Sequence, residues 1–166
     1  RILVTGASGF IGTKVVETLI EYGYPRVRCL VRGSSRRDRL NAVLRRLEHL
    51  HEVEIVVGDL NSREDCARAA EGVAVVLHLA AGFDKSFAGA FMNSALATRN
   101  LMDALLEHEQ PVRFVNVSSF AVYSNLAMTR GVLLDESAPL EDSPQQRYDA
   151  YGFGKLKQEQ LVQEYG

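Results

Sequence analysis

The stretch AYGFGK sets Tyr151 and Lys155 four residues apart, one helical turn from each other and on one face. A phenol can give or take a proton, and an ammonium beside it favours the phenolate. Upstream, VNVSSFAVYS carries the paired hydroxyls of Ser118 and Ser119. A serine that binds a carbonyl or carbinol oxygen, with a tyrosine that exchanges its proton, makes a hydride-transfer site. Spacing alone is weak, because Tyr and Lys four apart usually mark a helix surface. Tyr123, Tyr148 and Tyr165 have no lysine four residues on, however, which isolates Tyr151.

Hydride chemistry needs a coenzyme, and the chain opens with a place for one. LVTGASGFIG puts Gly6, Gly9 and Gly12 directly after an apolar run. A glycine-rich turn between a strand and a helix lets backbone N–H groups approach a pyrophosphate, and the helix dipole adds partial positive charge. Gly6 is expected to make the turn, Gly9 to permit close approach, and Gly12 to let the helix pack on the sheet. Ser8, Phe10 and Ile11 of the same turn complete the expected phosphate-binding set. A plain strand-to-helix turn is the alternative for such a pattern read alone.

The end of the second apolar run discriminates between coenzymes. An acid there holds the adenosine ribose hydroxyls of NAD, whereas arginine suits the 2′-phosphate of NADP. This sequence reads CLVRGSSRR, with Arg32, Arg36 and Arg37 and no acid. Guanidinium groups bind phosphate through bidentate, charge-assisted bonds, so NADP is preferred and NAD is second. Arg39, Arg45 and Arg46 read as a solvated face. Asp59 in GDL, followed by Leu60, could accept from the adenine amino group or cap the helix beginning near Ser62. HLAAG ends in Leu79, Ala80 and Ala81, small enough to wall a flat coenzyme.

The elements that must position these groups alternate strand and helix. Strand-like runs cover residues 2–5, 27–31, 53–57, 73–79 and 112–117, mostly apolar on both faces as buried parallel strands are. Helical patterns cover 9–22, 38–51, 87–107 and 148–165, and SRED from Ser62 resembles a capping box. Alternation of this kind predicts a doubly wound parallel sheet with helices on both faces, in the order 3-2-1-4-5. The switch-point crevice then falls beside strand 1, where TGASGFIG lies. Residues 118–147 form one long irregular segment containing Pro139 and Pro144, and segments of that length are commonly functional or disordered.

Composition narrows the field. With 166 residues, 46% of them hydrophobic, the chain can build one compact domain over residues 1–166. A net charge of −2 gives no global field for nucleic acid or an anionic membrane. No apolar run approaches the roughly 20 residues that span a bilayer, and the start has no secretory pattern. Cys29 and Cys66 read as reduced core residues, so a cytoplasmic setting is expected. His49, His51, His78 and His108 lack metal-site spacing, and no metal is expected. Arg1 in place of a methionine, and an end just after a helical run, suggest a portion of a longer chain.

Taken together, TGASGFIG, GDL, HLAA, NVSSFAVYS and YGFGK resemble the extended short-chain dehydrogenases/reductases, the NAD-dependent epimerase/dehydratase group, in the right order over nearly the whole chain. The resemblance implies a Rossmann-type domain and a Ser–Tyr–Lys catalytic set of Ser119, Tyr151 and Lys155, with Tyr151 and Lys155 also touching the coenzyme. It implies that Asn93, in FMNSALATRNL, helps order the active site. It implies a small-molecule substrate, a carbonyl compound or a nucleotide sugar, and is compatible with a homodimer. A carboxyl-terminal substrate domain is implied but lies outside this sequence. SSFAV stands where family dehydratases carry a Thr-Asp-Glu-type triplet, which counts against sugar 4,6-dehydration. Arg32 resembles the NADPH-using carbonyl reductases of the group more than its epimerases. The expected function is therefore an NADP-preferring oxidoreductase; a nucleotide-sugar epimerase is the near competitor. A non-catalytic dinucleotide-binding regulator or scaffold is the alternative of another class.

Overall fold

β1 (Ile2–Thr5), β2 (Arg26–Val31), β3 (Glu52–Val57), β4 (Val75–His78) and β5 (Arg113–Asn116) form one sheet in the order β3-β2-β1-β4-β5. Every neighbouring pair is parallel, with Val4 level with Cys29 on one side and Leu77 on the other. This is the sheet order expected from the alternation of elements. The computed structural model describes residues 1–166 apart from Pro25, His51, Glu109, Ala127 and Arg130, and all their side chains but that of Leu50. His51, expected to be structural or solvated, thus lies outside the described residues. The described chain divides into two compact units, Arg1–Ala80 with Asn100–Val117, and Ala81–Arg99 with Ser118–Gly166.

In the first unit, α1 (Phe10–Glu21) and α2 (Asp38–Arg46) bury one face of the sheet. Val4, Val27, Cys29 and Val31 alternate along their strands to meet Val16, Ile20 and Leu40 of the helices. Each fully buried aliphatic of this set contributes roughly 1.5–3 kcal/mol. Burial pushes the Cys29 and Cys66 thiols up to about 12, so both stay protonated and inert at neutral pH. The helix expected over 38–51 stops at Arg46 and tightens into a 3₁₀ turn, Glu48–Leu50.

Arg28 faces the other way from Val27 and Cys29 and is almost wholly buried inside β2. Its guanidinium is satisfied by the Glu54 carboxylate at 2.8 Å and by the carbonyls of Arg68, Ala69 and Glu71 at 2.8–3.0 Å. Those carbonyls end α3 (Arg63–Ala70), where a helix lacks internal donors and carries partial negative charge. One buried cation therefore ties α3 to the second face of the sheet. The other end of α3 is capped as its sequence foretold, Ser62 Oγ accepting from the Asp65 amide at 3.2 Å.

In the second unit, α4 (Phe87–Ala90) runs without interruption into a π-helical stretch, Phe91–Leu96. α5 (Ala97–Leu106) follows directly in the chain, and its residues from Asn100 on belong to the first unit. The single helix expected over 87–107 is thus continuous but widened in its middle, a feature often found at functional sites. In the segment expected to be irregular, Tyr123 bridges Leu140 and the Glu141 N–H donates to the Val122 carbonyl. Buried Glu141 accepts from Arg147 at 2.8 Å and from the Ser143 amide at 2.9 Å. Burial alone would raise its carboxyl, but Arg147 and Ser143 overcome this and hold it below the ordinary glutamate range. Within that segment, α6 (Pro144–Arg147) ends at Tyr148, whose φ of 51° is left-handed. The helix expected from Tyr148 consequently begins later, as α7 (Ala150–Tyr165), capped by Asp149 accepting from the Gly152 amide.

Candidate functional site

The first unit carries the dinucleotide-type edge. Gly6 turns out of β1 with φ +65°, and a Cβ there would lie 3.0 Å from the Ala80 amide nitrogen. Gly12 needs its bare backbone for a different reason, since a Cβ would sit 2.1 Å from the Gly6 carbonyl oxygen. Gly9 is the N-cap of α1 and offers no side chain to the helix start. The first amides of α1, those of Phe10, Ile11 and Gly12, have no intrahelical acceptor. No acid stands in its first turn, while the side chains of Phe10 and Ile11 are 82% and 58% exposed. Ser8 is half-buried beside them. A turn with glycine at positions 6 and 9, opening onto an uncapped helix terminus, suits a pyrophosphate.

Thr5 locks this turn to the end of β4. Its Oγ1 shares a hydrogen bond with His78 Nδ1 at 2.8 Å and accepts from the Ala80 amide at 3.2 Å. His78 is buried, packs at a tilt on Phe114, and is a structural residue. Leu79 is partly buried against the α1–α2 core, and Ala80 follows it.

Arg32 and Arg36 stand exposed just beyond β2, and Arg37 is half-buried as the N-cap of α2. Among the described residues no carboxylate pairs with these three, so their charge is available to an anion. Arg46 differs: it pairs with Glu17 and Glu21 on α1, in keeping with a solvated face. Arg39 lies 6.0 Å from the centre of the Phe10 ring. Asp59 is exposed, with Oδ1 accepting from the Asn61 amide, and the helix cap it could have supplied is made by Ser62 instead. Leu60 is buried, and its carbonyl accepts from Asn100 Nδ2 at 2.9 Å.

The second unit carries the acid–base residues. Ser119 caps a 3₁₀ turn, Phe120–Val122, its Oγ accepting from the Ala121 amide at 3.2 Å. The hydroxyl hydrogen keeps its capacity to donate. Helix α7 approaches that turn closely, because a Cβ on Gly152 would lie 2.8 Å from the Ala121 carbonyl oxygen. Gly154 allows the same closeness to the end of α4 and to the π stretch, where a Cβ would lie 2.9 Å from the Ala90 oxygen and 3.1 Å from Ser94 Oγ. The two glycines of YGFG thus seat Tyr151 and Lys155 between the Ser119 turn and the π stretch. Tyr151 is half-buried, and among the described residues nothing hydrogen-bonds its hydroxyl. Lys155 is only 3% exposed. Burial pushes its ammonium down to about 8, although Glu159 pulls the other way. Asn93 lies in the π stretch and donates to Asp84 at 2.7 Å; half-buried Ala81 begins the loop before it.

Three residues around this set carry no expectation from the sequence. Phe83 stacks on Tyr151, and no local pattern announces that contact. Gln158 accepts from Lys155, which its i+3 spacing could have suggested. Thr98, the partner of Gln158, has no sequence signal. Ser118 Oγ is buried without a hydrogen-bond partner, whereas its neighbour Ser119 is engaged.

A parallel sheet in this order, with a glycine-turned helix after β1, defines a Rossmann-type domain. The chain belongs to the NAD-dependent epimerase/dehydratase family, whose model matches residues 2–166. GDP-mannose 3,5-epimerase 1 of Oryza sativa subsp. japonica is 30% identical across 99% of this chain and 42% of its own length. Ketoreductase adrE of Penicillium roqueforti is 35% identical over 100 residues, 58% of this chain and 28% of that one. Among solved structures, the dTDP-glucose 4,6-dehydratase DesIV of Streptomyces venezuelae, with NAD and TYD bound, superposes with a TM-score of 0.81 at 26% identity. That match covers 99% of this chain and 51% of DesIV. The chain therefore spans less than half of these two curated relatives and about half of the solved one. Among the described residues no helix is long and apolar enough to cross a membrane.

Proposed function

We propose that residues 1–166 are the coenzyme-binding and acid–base portion of an oxidoreductase that interconverts a carbonyl and a carbinol, with NADP preferred over NAD. Gly6, Gly9, Gly12 and the first amides of α1 would hold the pyrophosphate, and Arg32 with Arg36 and Arg37 the 2′-phosphate. Asp59 is assigned to the adenine amino group, and Leu60, Leu79, Ala80 and Ala81 to the walls. When bound, the nicotinamide supplies hydride to a carbonyl carbon or takes it from a carbinol. The chain's own residues do the rest. Ser119 donates to the substrate oxygen and Tyr151 delivers its hydroxyl proton there, becoming phenolate; in the oxidative direction it takes the proton back. Lys155 supplies the cation beside the nicotinamide ribose. Its ammonium has three donors, and Gln158 takes one.

The observation that carries this reading is the seating of α7. Gly152 brings the helix of Tyr151 and Lys155 against the turn that Ser119 caps, and Gly154 brings it against Ala90 and Ser94, which supports Ser119, Tyr151 and Lys155 acting together. Epimerisation of a nucleotide sugar is the second reading, favoured by the rice epimerase that matches 99% of this chain. An epimerase regenerates its coenzyme at each turnover and retains it on purification, whereas a reductase releases it. The presence of both Tyr151 and Lys155 argues against a non-catalytic scaffold. Tyr151→Phe in the intact protein tests the proposal. Turnover of a carbonyl substrate should fall by about 10²–10⁴-fold with NADPH affinity preserved, and near-normal turnover would remove Tyr151 from the proton path.

A further inference from the structure

Gln158 lies one turn beyond Lys155 on α7 and is completely buried. A polar amide taken out of water must find partners for both its ends, and here each end is engaged. Its Oε1 accepts from Lys155 Nζ at 2.8 Å. Its Nε2 donates to Thr98 Oγ1 at 2.7 Å, and Thr98 Oγ1 in turn donates to the Ser94 carbonyl at 2.7 Å. Ser94 closes the series, its Oγ accepting from the Gly82 amide at 3.2 Å. Lys155, Gln158, Thr98 and Ser94 are all at most 3% exposed.

The direction of this series is determined at both ends. Thr98 has one hydroxyl hydrogen, and donating it to Ser94 leaves a lone pair that can only accept. The amide must therefore turn Nε2 toward Thr98 and Oε1 toward Lys155. An ammonium has no lone pair, so the reverse orientation would set two donors face to face. Buried and oriented in this way, the amide presents a fixed acceptor to a cation whose side chain otherwise has four rotatable bonds.

We propose that Gln158, oriented by Thr98, is a positioning residue that fixes the direction of the Lys155 ammonium. This rests on the reading of Lys155 as the cation beside the nicotinamide ribose. It also gives the π stretch a function, since Ser94 and its widened turn anchor the series at the end opposite Lys155.

The test uses the intact protein, with its lysine side chains labelled with ¹⁵N for NMR and Lys155→Met to assign the signal. A buried, hydrogen-bonded ammonium exchanges slowly enough to give its own cross-peak. Gln158→Met keeps the length of the side chain and removes the acceptor; the Lys155 cross-peak should broaden or vanish. NADPH should bind about tenfold more weakly, the loss of one well-aligned charge-assisted hydrogen bond. Thr98→Val should also broaden the peak by freeing the amide to flip, while Gln158→Glu should keep it, because one carboxylate oxygen accepts from the same ammonium and Thr98 can turn its hydroxyl hydrogen from Ser94 to the other. An unchanged Lys155 peak in a folded Gln158→Met or Thr98→Val protein would overturn the proposal. Should Gln158→Met fail to fold, Thr98→Val and Gln158→Glu still decide it. The coenzyme reading fails separately: Lys155→Met would then bind NADPH like the wild type, whatever the ammonium signal shows.

Discussion

The ring of Phe83 lies parallel to that of Tyr151, centroids 4.8 Å apart and planes within 3° of each other. Phe83 is itself 82% exposed, so its contact with the tyrosine is bought at the cost of leaving a large apolar surface in water. One face of the proposed proton donor is thereby covered.

Removing that cover should loosen Tyr151 without touching the coenzyme turn. A stacked aromatic pair contributes about 0.5–1.5 kcal/mol beyond burial. Phe83→Ala is therefore expected to lower kcat by about three- to tenfold, with NADPH affinity unchanged and Phe83→Tyr close to wild type. Steady-state kinetics with parallel NADPH titrations check this; unaltered kcat in Phe83→Ala would show that the stack does not position the phenol.

Coenzyme choice should depend on the end of β2. Arg32 is exposed and, among the described residues, without a carboxylate partner, so its guanidinium can meet a 2′-phosphate. NADPH is expected to bind more tightly than NADH, and Arg32→Asp to reverse the order, with a change of about ten- to a hundredfold in the ratio. Calorimetry of both coenzymes on both proteins measures it. Equal ratios before and after the substitution would contradict the assignment.

Lys155 also makes a prediction about stability. Its folded pKa of about 8 lies below the ordinary 10.5, so between these values the unfolded chain binds more protons than the folded one. Stability then rises with pH across that window, as the cost of burying the ammonium is relieved. Below pH 8 that cost is fully present. Urea unfolding at intervals from pH 7.5 to 10.5 should show the rise in the wild type and a flatter curve in Lys155→Met; parallel curves would place the titration elsewhere.

What the sequence made legible follows from what is local. Parallel strands covered on both faces read as apolar runs, and Gly12 answers to the backbone of Gly6 and Ala7 within six residues, although Gly6 itself answers to Leu79 and Ala80 at the end of β4. Strand order and the glycine turn were accordingly visible, whereas the choice of Ser119 over Ser118 came from the family resemblance. Arg28 was not, because a charged residue in a strand reads as exposed until the carbonyls of α3, some forty residues on, are brought to it. Gln158 went unnoticed for the same reason: its partner Thr98 lies sixty residues away. The π stretch has no compositional signal at all, and neither does the left-handed Tyr148 that ends α6 before α7 begins.

The central claim is that the β1–α1 turn holds the pyrophosphate of a nicotinamide dinucleotide, and Gly9 is the position at which to test it. Gly12 would be a poor probe, since any Cβ there collides with the Gly6 backbone and threatens the fold. Gly9 has φ −71°, which any residue adopts, and a Cβ there meets only the Gly6 oxygen at 3.1 Å. Isothermal titration of NADPH into wild-type and Gly9→Val proteins of matched thermal stability is the direct measurement. Binding to the wild type, with at least a tenfold loss in Gly9→Val, is the predicted result; equal affinity in the two proteins would contradict it.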